Sequence, residues 1–175
     1  MPQNPSLKAR ALRHLARREH TRAELERKLH AAVRADERSA RAAPNDEGAA
    51  APPNEAQLAE EIGRALDELT ARGLLDDGRA AESLLASQGA RLGQRRLRQV
   101  LQARGLAPEL VRETLAQSST TEFERARDLW RRRFGETPAD AKAAARQMRF
   151  LAGRGFDTEI IRRVLKEAPG PDADD

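Results

Sequence analysis

The chain has 175 residues, with 32 Lys and Arg against 28 Asp and Glu, a net charge of +4 and a pI near 10.2. It has no cysteine, which excludes disulfides, thiolate zinc sites and a cysteine nucleophile. No apolar run approaches the ~20 residues that a membrane span needs, and the opening "MPQNPSLKAR" lacks the apolar core of a signal peptide, so we expect a cytoplasmic protein that contacts no membrane.

The composition predicts an all-α fold. Hydrophobic residues make up 39% of the chain and are mostly Leu and Ala, whereas aromatic residues make up only 3%. Ala, Leu, Glu, Arg and Gln are strong helix formers, and the β-branched residues that favour strands are scarce. Apolar spacing then places nine helices at residues 6–18, 22–33, 55–72, 77–89, 94–104, 108–117, 121–134, 138–153 and 158–168.

One helix–turn–helix pattern occurs four times along the chain. A leucine near the end of one helix is followed by Arg and Gly at the turn, and a second leucine closes the next helix. The four copies are "LARREHTRAELERKL", "LTARGLLDDGRAAESL", "LQARGLAPELVRETL" and "LAGRGFDTEIIRRVL". The first copy has Glu19 in place of glycine, and the second has one extra residue at the turn.

The Arg-Gly pairs have a structural explanation. A glycine just past a helix end adopts the left-handed conformation without strain, and an arginine in the last turn meets the negative end of the helix dipole. We therefore predict that Gly73, Gly105 and Gly155 end helices and take no part in chemistry.

Cap signals mark where helices begin. Thr21 with Glu24, and Thr121 with Glu124, have the spacing of a capping box. Other predicted helix starts are Asp76, Pro108, Asp157, and the pair Thr137 and Pro138.

Residues 34–54 interrupt this pattern. They are rich in Ala, Pro and charge without apolar periodicity, and they are predicted to form a flexible insertion. Short helices with narrow apolar faces cannot each form a core, but stacked hairpins bury one another's faces. We therefore expect an elongated, curved array of about nine short helices.

Positive charge is concentrated in three segments. Residues 7–34 carry nine Lys and Arg against three acids, and residues 91–104 and 141–154 carry no acid. Such blocks indicate an anionic partner, either nucleic acid or an acidic protein groove, although they also fit a solvated helical face. The candidate contact residues chosen from this clustering are Arg95, Arg96, Arg98, Arg131, Arg132, Arg133 and Arg149.

No constellation for catalysis or cofactor binding is found. His14, His20 and His30 lack convincing metal-ligand spacing, and no zinc-protease or nucleotide-binding glycine motif occurs. Asp76 and Asp77 are interpreted as acids that open a helix rather than as metal ligands. We therefore expect a protein that is not an enzyme and needs no cofactor or metal.

Two further features of the sequence bear on binding. The glycine-flanked turn "GARLG" at residues 89–93 is a weak candidate for a phosphate cradle. Trp130 precedes three arginines and could stack on a base, but it is in helical phase with Phe123 and Phe134. That phase favours a place in the core.

Four segments, in this order, resemble the bacterial RecX regulatory proteins: "ALRHLARREHTRAELERKL", "LDELTARGLLDDGRAAESLL", "LGQRRLRQVLQARGL" and "RQMRFLAGRGFDTEIIRRVL". The resemblance covers residues 7–168 apart from the insertion. It implies nine helices in three tandem three-helix units, at 7–72, 73–117 and 118–168. A tail at 1–6 precedes them, and an acidic, disordered tail at 169–175 follows.

The resemblance also implies a function in DNA repair, homologous recombination and the SOS response. Members of the family modulate the RecA recombinase, usually as inhibitors. They lodge in the groove of the RecA filament on single-stranded DNA and limit its growth, ATP hydrolysis, strand exchange and coprotease activity. The implied partners are the RecA filament and single-stranded DNA, with duplex DNA bound more weakly, and we expect a monomer.

A stand-alone protein that binds duplex DNA through its helix–turn–helix units is the alternative. A reading helix should present basic and amide groups near its N-terminus. Most of the second helices here begin with acids, which would face the DNA phosphates unfavourably.

Overall fold

The structure is a computed structural model that describes residues 5–42 and 54–167. These residues form nine α-helices and one short 3-10 helix, Gly89–Arg91, with no strand among them, which confirms the all-α prediction. The α-helices are α1 Leu7–Leu15, α2 Arg22–Ala42, α3 Glu55–Ala71, α4 Asp77–Gln88, α5 Gln94–Ala103, α6 Pro108–Ala116, α7 Glu122–Arg133, α8 Ala141–Gly153 and α9 Thr158–Lys166.

The Arg-Gly pairs end helices as predicted. Gly73, Gly105 and Gly155 have φ values of 68°, 87° and 84°, in the left-handed region that glycine adopts without strain. Each follows an arginine at the C-cap of α3, α5 or α8. The glycines therefore act as helix terminators.

Both predicted capping boxes are present. The backbone N–H of Glu24 donates to the Thr21 hydroxyl at 3.1 Å, and the N–H of Thr21 donates to the Glu24 carboxylate at 3.3 Å. Thr121 and Glu124 exchange the same pair of bonds, at 3.2 and 2.8 Å. Each box satisfies two backbone donors at the start of a helix.

The chain forms two compact units, Met1–Ala80 and Ala81–Asp175. In the first unit, α1, α2 and α3 pack on one another. Their buried core contains Ala11, Leu25, Leu29, Leu58, Ile62, Leu66, Leu69 and Leu75. These residues recur mostly at three- or four-residue intervals, so each helix buries one apolar stripe against the other two.

His20 belongs to the interior of the first unit. It is only 3% exposed, and its ring lies edge-on to that of His14 with 5.6 Å between the ring centres. Burial lowers the pKa of His20, and the nearby Arg18 lowers it further. The Glu24 carboxylate, 3.3 Å from its Nδ1, opposes this lowering without outweighing it. His20 is therefore a core side chain.

The second unit contains two apolar clusters. The cluster formed by α7, α8 and α9 contains Ala126, Trp130, Leu151, Phe156, Ile161 and Val164. The other contains Ala81, Leu84, Leu101, Leu106 and Val111. Trp130 is fully buried, and its Nε1 donates to Oε1 of Gln147 at 2.7 Å, which confirms its place in the core.

The predicted end of the second helix is wrong. α2 continues to Ala42, so residues 34–42 are helical and do not belong to an irregular insertion. They are mostly Ala, Arg and acidic residues, and ion pairs from Arg10 to Asp36 and from Arg34 to Glu55 connect this extension to α1 and α3. The rest of the predicted insertion, residues 43–53, lies outside the described residues, as do 1–4 and 168–175.

The predicted cap of α8 is also wrong. The pair Thr137 and Pro138 precedes the helix, which begins at Ala141. The Asp140 side chain accepts a hydrogen bond from the N–H of Ala143 at 2.6 Å and caps the helix. Asp140 is the stronger cap because its carboxylate also complements the helix dipole. Apart from the end of α2, the helix ends lie within three residues of their predicted positions.

Candidate functional site

The seven arginines predicted as contact residues all lie in the second unit, and all are exposed. Within residues 5–42 and 54–167, none of the seven has a carboxylate oxygen within 4.0 Å. Arg64, Arg112 and Arg162, by contrast, each pair with a glutamate about one turn away on the same helix. The charge of the seven is thus available to an anionic partner. They are Arg95, Arg96 and Arg98 on α5, Arg131, Arg132 and Arg133 at the end of α7, and Arg149 on α8.

α5 begins with positive charge. Its first turn contains Arg95 and Arg96 and no acid, whereas α4, α6, α7 and α9 each have an acid in the first turn. The N-terminus is the positive end of a helix dipole, and a cation there is unfavourable by roughly 0.3–1 kcal/mol. The two arginines therefore do not serve the stability of their own helix, which favours a role in binding.

Glu122, in the first turn of α7, positions the start of α5. Its Oε1 accepts a hydrogen bond from the backbone N–H of Gln94 at 2.9 Å and another from that of Asp157 at 3.3 Å. Gly93, the N-cap residue of α5, has no side chain to provide a cap. One carboxylate therefore satisfies donors at the starts of both α5 and α9, and its charge complements both dipoles.

Two glycines allow the turn before α5 to touch the turn before α9 through backbone atoms. The N–H of Gly93 donates to the carbonyl of Arg154 at 2.9 Å. A Cβ at Gly93 would lie within 3.0 Å of the backbone of Gly155 and Phe156, and one at Gly155 would crowd the backbone of Arg96. This contact fixes the first turn of α5, and its arginines, against the start of α9.

The turn at residues 89–93 has three backbone N–H groups at its end that are already used within the protein. A phosphate cradle needs backbone N–H groups that can point at the anion. Here the N–H of Leu92 donates to the carbonyl of Gly89 at 3.4 Å, and the N–H groups of Gly93 and Gln94 are already bonded to Arg154 and Glu122. The glycine at the end of this turn serves packing.

Arg95 and Arg98 lie together on an open groove of about 570 Å³ beside the first turn of α9. They are three residues apart and share one face of α5, whereas Arg96 lies about 100° around the helix. Nη2 of Arg95 donates to the carbonyl of Ala152 at 3.3 Å, so the side chain reaches towards the end of α8. Asp157 also lines the groove and restricts how much negative charge it accepts.

Arg131, Arg132 and Arg133 do not form a single patch. Successive residues on a helix point about 100° apart. Nη2 of Arg132 donates to the carbonyl of Ala90 at 3.3 Å, while the guanidinium of Arg133 lies 5.8 Å from the ring centre of Phe134. Contact of each arginine with a partner stays a prediction, and the three side chains leave the helix in different directions.

Arg149 belongs to a basic stripe on α8. Lys142, Arg146 and Arg149 are spaced four and three residues apart, so they share a helix face, and all three are exposed. The charge predicted at Arg149 is thus reinforced by two neighbours from the same acid-free segment.

The sequence pattern does not identify Glu122 or Arg125. The two N–H groups bound by Glu122 are 28 and 35 residues away in the chain, so no local motif marks the contact. Arg125 is only 8% exposed although it is charged. The available signal was its position four residues before Leu129, which places it close to the apolar face of α7.

Glu122→Ala is expected to lower the free energy of unfolding by about 1–2 kcal/mol, because two helix N-termini lose a charged acceptor. Glu122→Gln should lose less, since the amide oxygen still accepts hydrogen bonds. Urea unfolding followed by the fluorescence of Trp130 measures the effect. The matched control is Glu109→Ala, which removes an exposed first-turn glutamate that pairs only with Arg112 among the described residues. Equal losses for both alanine variants would show that Glu122 does not connect the two helices.

The parts of the chain that the structure describes contain no group of three or more His, Asp or Glu arranged to hold a metal ion. None of the described helices combines the length and apolar character needed to cross a bilayer.

Comparisons with known proteins assign two segments to family models. Residues 76–115 match the model of the second three-helix domain of RecX, and residues 120–165 match the model of its third three-helix domain. These segments contain α5, α7 and α8, which carry all seven candidate arginines.

Similarity to curated relatives extends over nearly the whole chain. Regulatory protein RecX from Leptothrix cholodnii is 44% identical over 163 residues, covering 93% of this chain and 89% of the relative. Regulatory protein RecX from Chromobacterium violaceum is 41% identical over 169 residues, covering 97% and 93%. The crystal structure of RecX from Lactobacillus salivarius superposes with a TM-score of 0.65, covering 93% of this chain and 94% of the other at 18% identity, and supports the fold alone.

Proposed function

The chain belongs to the RecX family of regulatory proteins, and from that premise we propose that it regulates RecA. It binds the RecA filament on single-stranded DNA and limits filament growth, ATP hydrolysis, strand exchange and coprotease activity. It acts in the cytoplasm as a monomer, by binding and not by catalysis. Duplex DNA is a weaker partner.

The observation that carries this proposal is the set of exposed arginines without carboxylate partners in the second unit. Within the described residues, the seven lie on three helices, and two of them oppose the dipole of α5. Their placement supports binding to an anionic partner because it does not serve the helix itself. The RecA–DNA filament offers both phosphate and acidic protein surface to such cations.

Several separate points of contact suit a filament. Arg95 and Arg98 on α5, Arg132 on α7 and Arg149 on α8 lie on three different helices of one unit. Each contact alone is weak, but once one is made the others form at high effective concentration. A protein bound in this way to more than one RecA subunit or nucleotide would restrict the rearrangements that growth and strand exchange need.

The alternative, stand-alone recognition of duplex DNA, is disfavoured by the second helices of the hairpins. α4, α6 and α9 begin with Asp77, Glu109 and Glu159 in their first turns. A helix entering the major groove presents its N-terminal residues to bases and phosphates, where a carboxylate is repelled. Tight, sequence-selective binding to naked duplex would support this alternative.

The proposed function is tested by DNA-dependent ATP hydrolysis of the cognate RecA on single-stranded DNA. We expect hydrolysis to fall when the protein is added at well below one copy per RecA monomer, because one bound copy affects several subunits or a growing end. Heat-unfolded protein at the same concentration is the control. No effect on hydrolysis at ratios up to one per RecA would contradict the proposal.

A further inference from the structure

A cavity of about 510 Å³ lies within the second unit and is not part of the groove beside α5. α4 and the 3-10 helix line one side of it. The end of α6, the connection between α6 and α7, and the face of α7 that carries Arg125, Asp128 and Arg132 line the other. The volume is larger than a phosphate group needs and has room for an attached sugar.

Arg125 lines this cavity from α7. Its side chain is almost completely buried, and its Nη1 donates to the carbonyl of Thr120. Its Nε is buried without a hydrogen-bond partner among the described residues, and none of their carboxylates lies within 4.0 Å of the guanidinium. Glu122 and Glu124 act on its charge only by electrostatic attraction over a longer distance.

The buried guanidinium of Arg125 therefore has no counterion among the described residues. Burial lowers the pKa of Arg125 because the charged form loses hydration. An arginine nevertheless stays protonated at neutral pH, so the charge remains and the site favours an anion. The planar fork of arginine matches the oxygens of a phosphate group.

The other lining groups restrict the kind of anion. Arg132 lies seven residues from Arg125 on the same face of α7, and the hydroxyls of Ser119 and Thr120 have no partner within the described segments. Two exposed carboxylates, Glu82 and Asp128, also line the cavity. They repel a dianion such as free phosphate more strongly than a phosphodiester, which carries a single charge.

We propose that this cavity holds one phosphodiester group of single-stranded DNA, bound by Arg125 with support from Arg132 and the hydroxyls of residues 119 and 120. The proposal rests on the proposed function and adds a second DNA contact to it, separate from the arginines of α5. The contact is to the backbone, so it is independent of base sequence.

The test uses the full chain and a short fluorescein-labelled oligo(dT), with affinity followed by anisotropy over a series of salt concentrations. Arg125→Met is expected to weaken binding about tenfold, as for loss of one charge-assisted hydrogen bond. It should also reduce the slope of log K against log salt by about 0.7, the value for one single-strand phosphate. Arg125→Lys should recover part of both.

Two further variants guard against a folding artefact. Arg112→Met removes an exposed arginine that pairs with Glu109 outside the cavity, and it should bind like wild type. Ser119→Glu places a carboxylate at an exposed position of the cavity without disturbing the core, and it should weaken binding as much as Arg125→Met. If Arg125→Met is unfolded by circular dichroism, the Ser119→Glu result decides.

Competition identifies the source of the anion. An abasic oligonucleotide should displace oligo(dT) as well as unlabelled oligo(dT) does. Displacement by poly-glutamate but not by the abasic strand would overturn the proposal in favour of an acidic protein partner. A lower melting temperature with unchanged affinity and salt slope in Arg125→Met would show that Arg125 only supports the fold. RecA ATP hydrolysis, measured separately, shows whether the proposed function stands in either case.

Discussion

Gly93→Ala is expected to destabilise the second unit by about 3 kcal/mol or more. The added methyl would lie within 3.0 Å of backbone atoms of Gly155 and Phe156, which real Cβ atoms essentially never do. Overpacking against side chains typically lowers stability by ~1–3 kcal/mol, and backbone held at two helix starts gives way less readily. Since Trp130 is the only tryptophan and lies in the core of this unit, its fluorescence during urea unfolding reports the loss directly.

Gly153→Ala is the matched control for this substitution, because it lies in the same unit as Gly93 and Trp130. Gly153 belongs to α8, and a Cβ there would meet nothing within 4 Å. Alanine should raise helix stability by roughly 0.5–1 kcal/mol, so the two glycine variants are expected to differ in sign. If Gly93→Ala unfolded at the same urea concentration as wild type, the backbone contact between the turns before α5 and α9 would be wrong.

The same contact explains what the sequence could and could not predict about the fold. A left-handed glycine after an arginine is a local signal, and Gly73, Gly105 and Gly155 were all assigned correctly from it. Gly93 has no such signal, because its φ of −75° is open to any residue. Its requirement for glycine comes from Gly155, which is distant in the sequence and adjacent only once the unit has folded.

Helix boundaries show a similar division. The boxes at Thr21 and Thr121 were predictable because both partners lie within four residues. The extension of α2 to Ala42 was not, since that segment has no apolar stripe, and its link to α3 through Arg34 spans residues outside the local pattern. In residues 34–42 the helix is indicated by the high helix propensity of Ala, Arg and Glu, and not by amphipathic spacing.

For the candidate site, the sequence predicted where charge is concentrated but not how it is oriented. Arg131, Arg132 and Arg133 form one cluster in the sequence, but on a helix successive side chains point about 100° apart, so the three point in different directions. Arg95 and Arg98 share a face, and it is Glu122, whose partners are remote in sequence, that sets the position of that face. The clustering of charge in the sequence therefore identifies candidate contact residues, and tertiary contacts determine which of them lie close enough to bind one partner together.

Neutralising α5 by the triple substitution Arg95→Gln, Arg96→Gln and Arg98→Gln is expected to weaken binding to the RecA filament on single-stranded DNA about 100-fold. Each lost charge-assisted contact is worth roughly 1 kcal/mol, and three such losses give about two powers of ten. If all three face phosphates, the slope of log K against log salt should fall by about 2. Anisotropy of labelled DNA within the filament, titrated at several salt concentrations, measures both.

The triple substitution should not destabilise α5, so weaker binding could not be attributed to loss of folding. Removing two cations from the positive end of the α5 dipole should leave circular dichroism unchanged and raise stability by a few tenths of a kcal/mol.

The control neutralises Arg112, Arg162 and Arg163, three exposed arginines of the same unit that pair with glutamates. Both triple variants lose three positive charges. If the control weakens filament binding as much as the α5 variant, net charge alone attracts the filament and the arginines of α5 have no specific role. A loss confined to the α5 variant would place the first turn of α5 in the interface, because its charges differ from the control set only in position and in lacking partners.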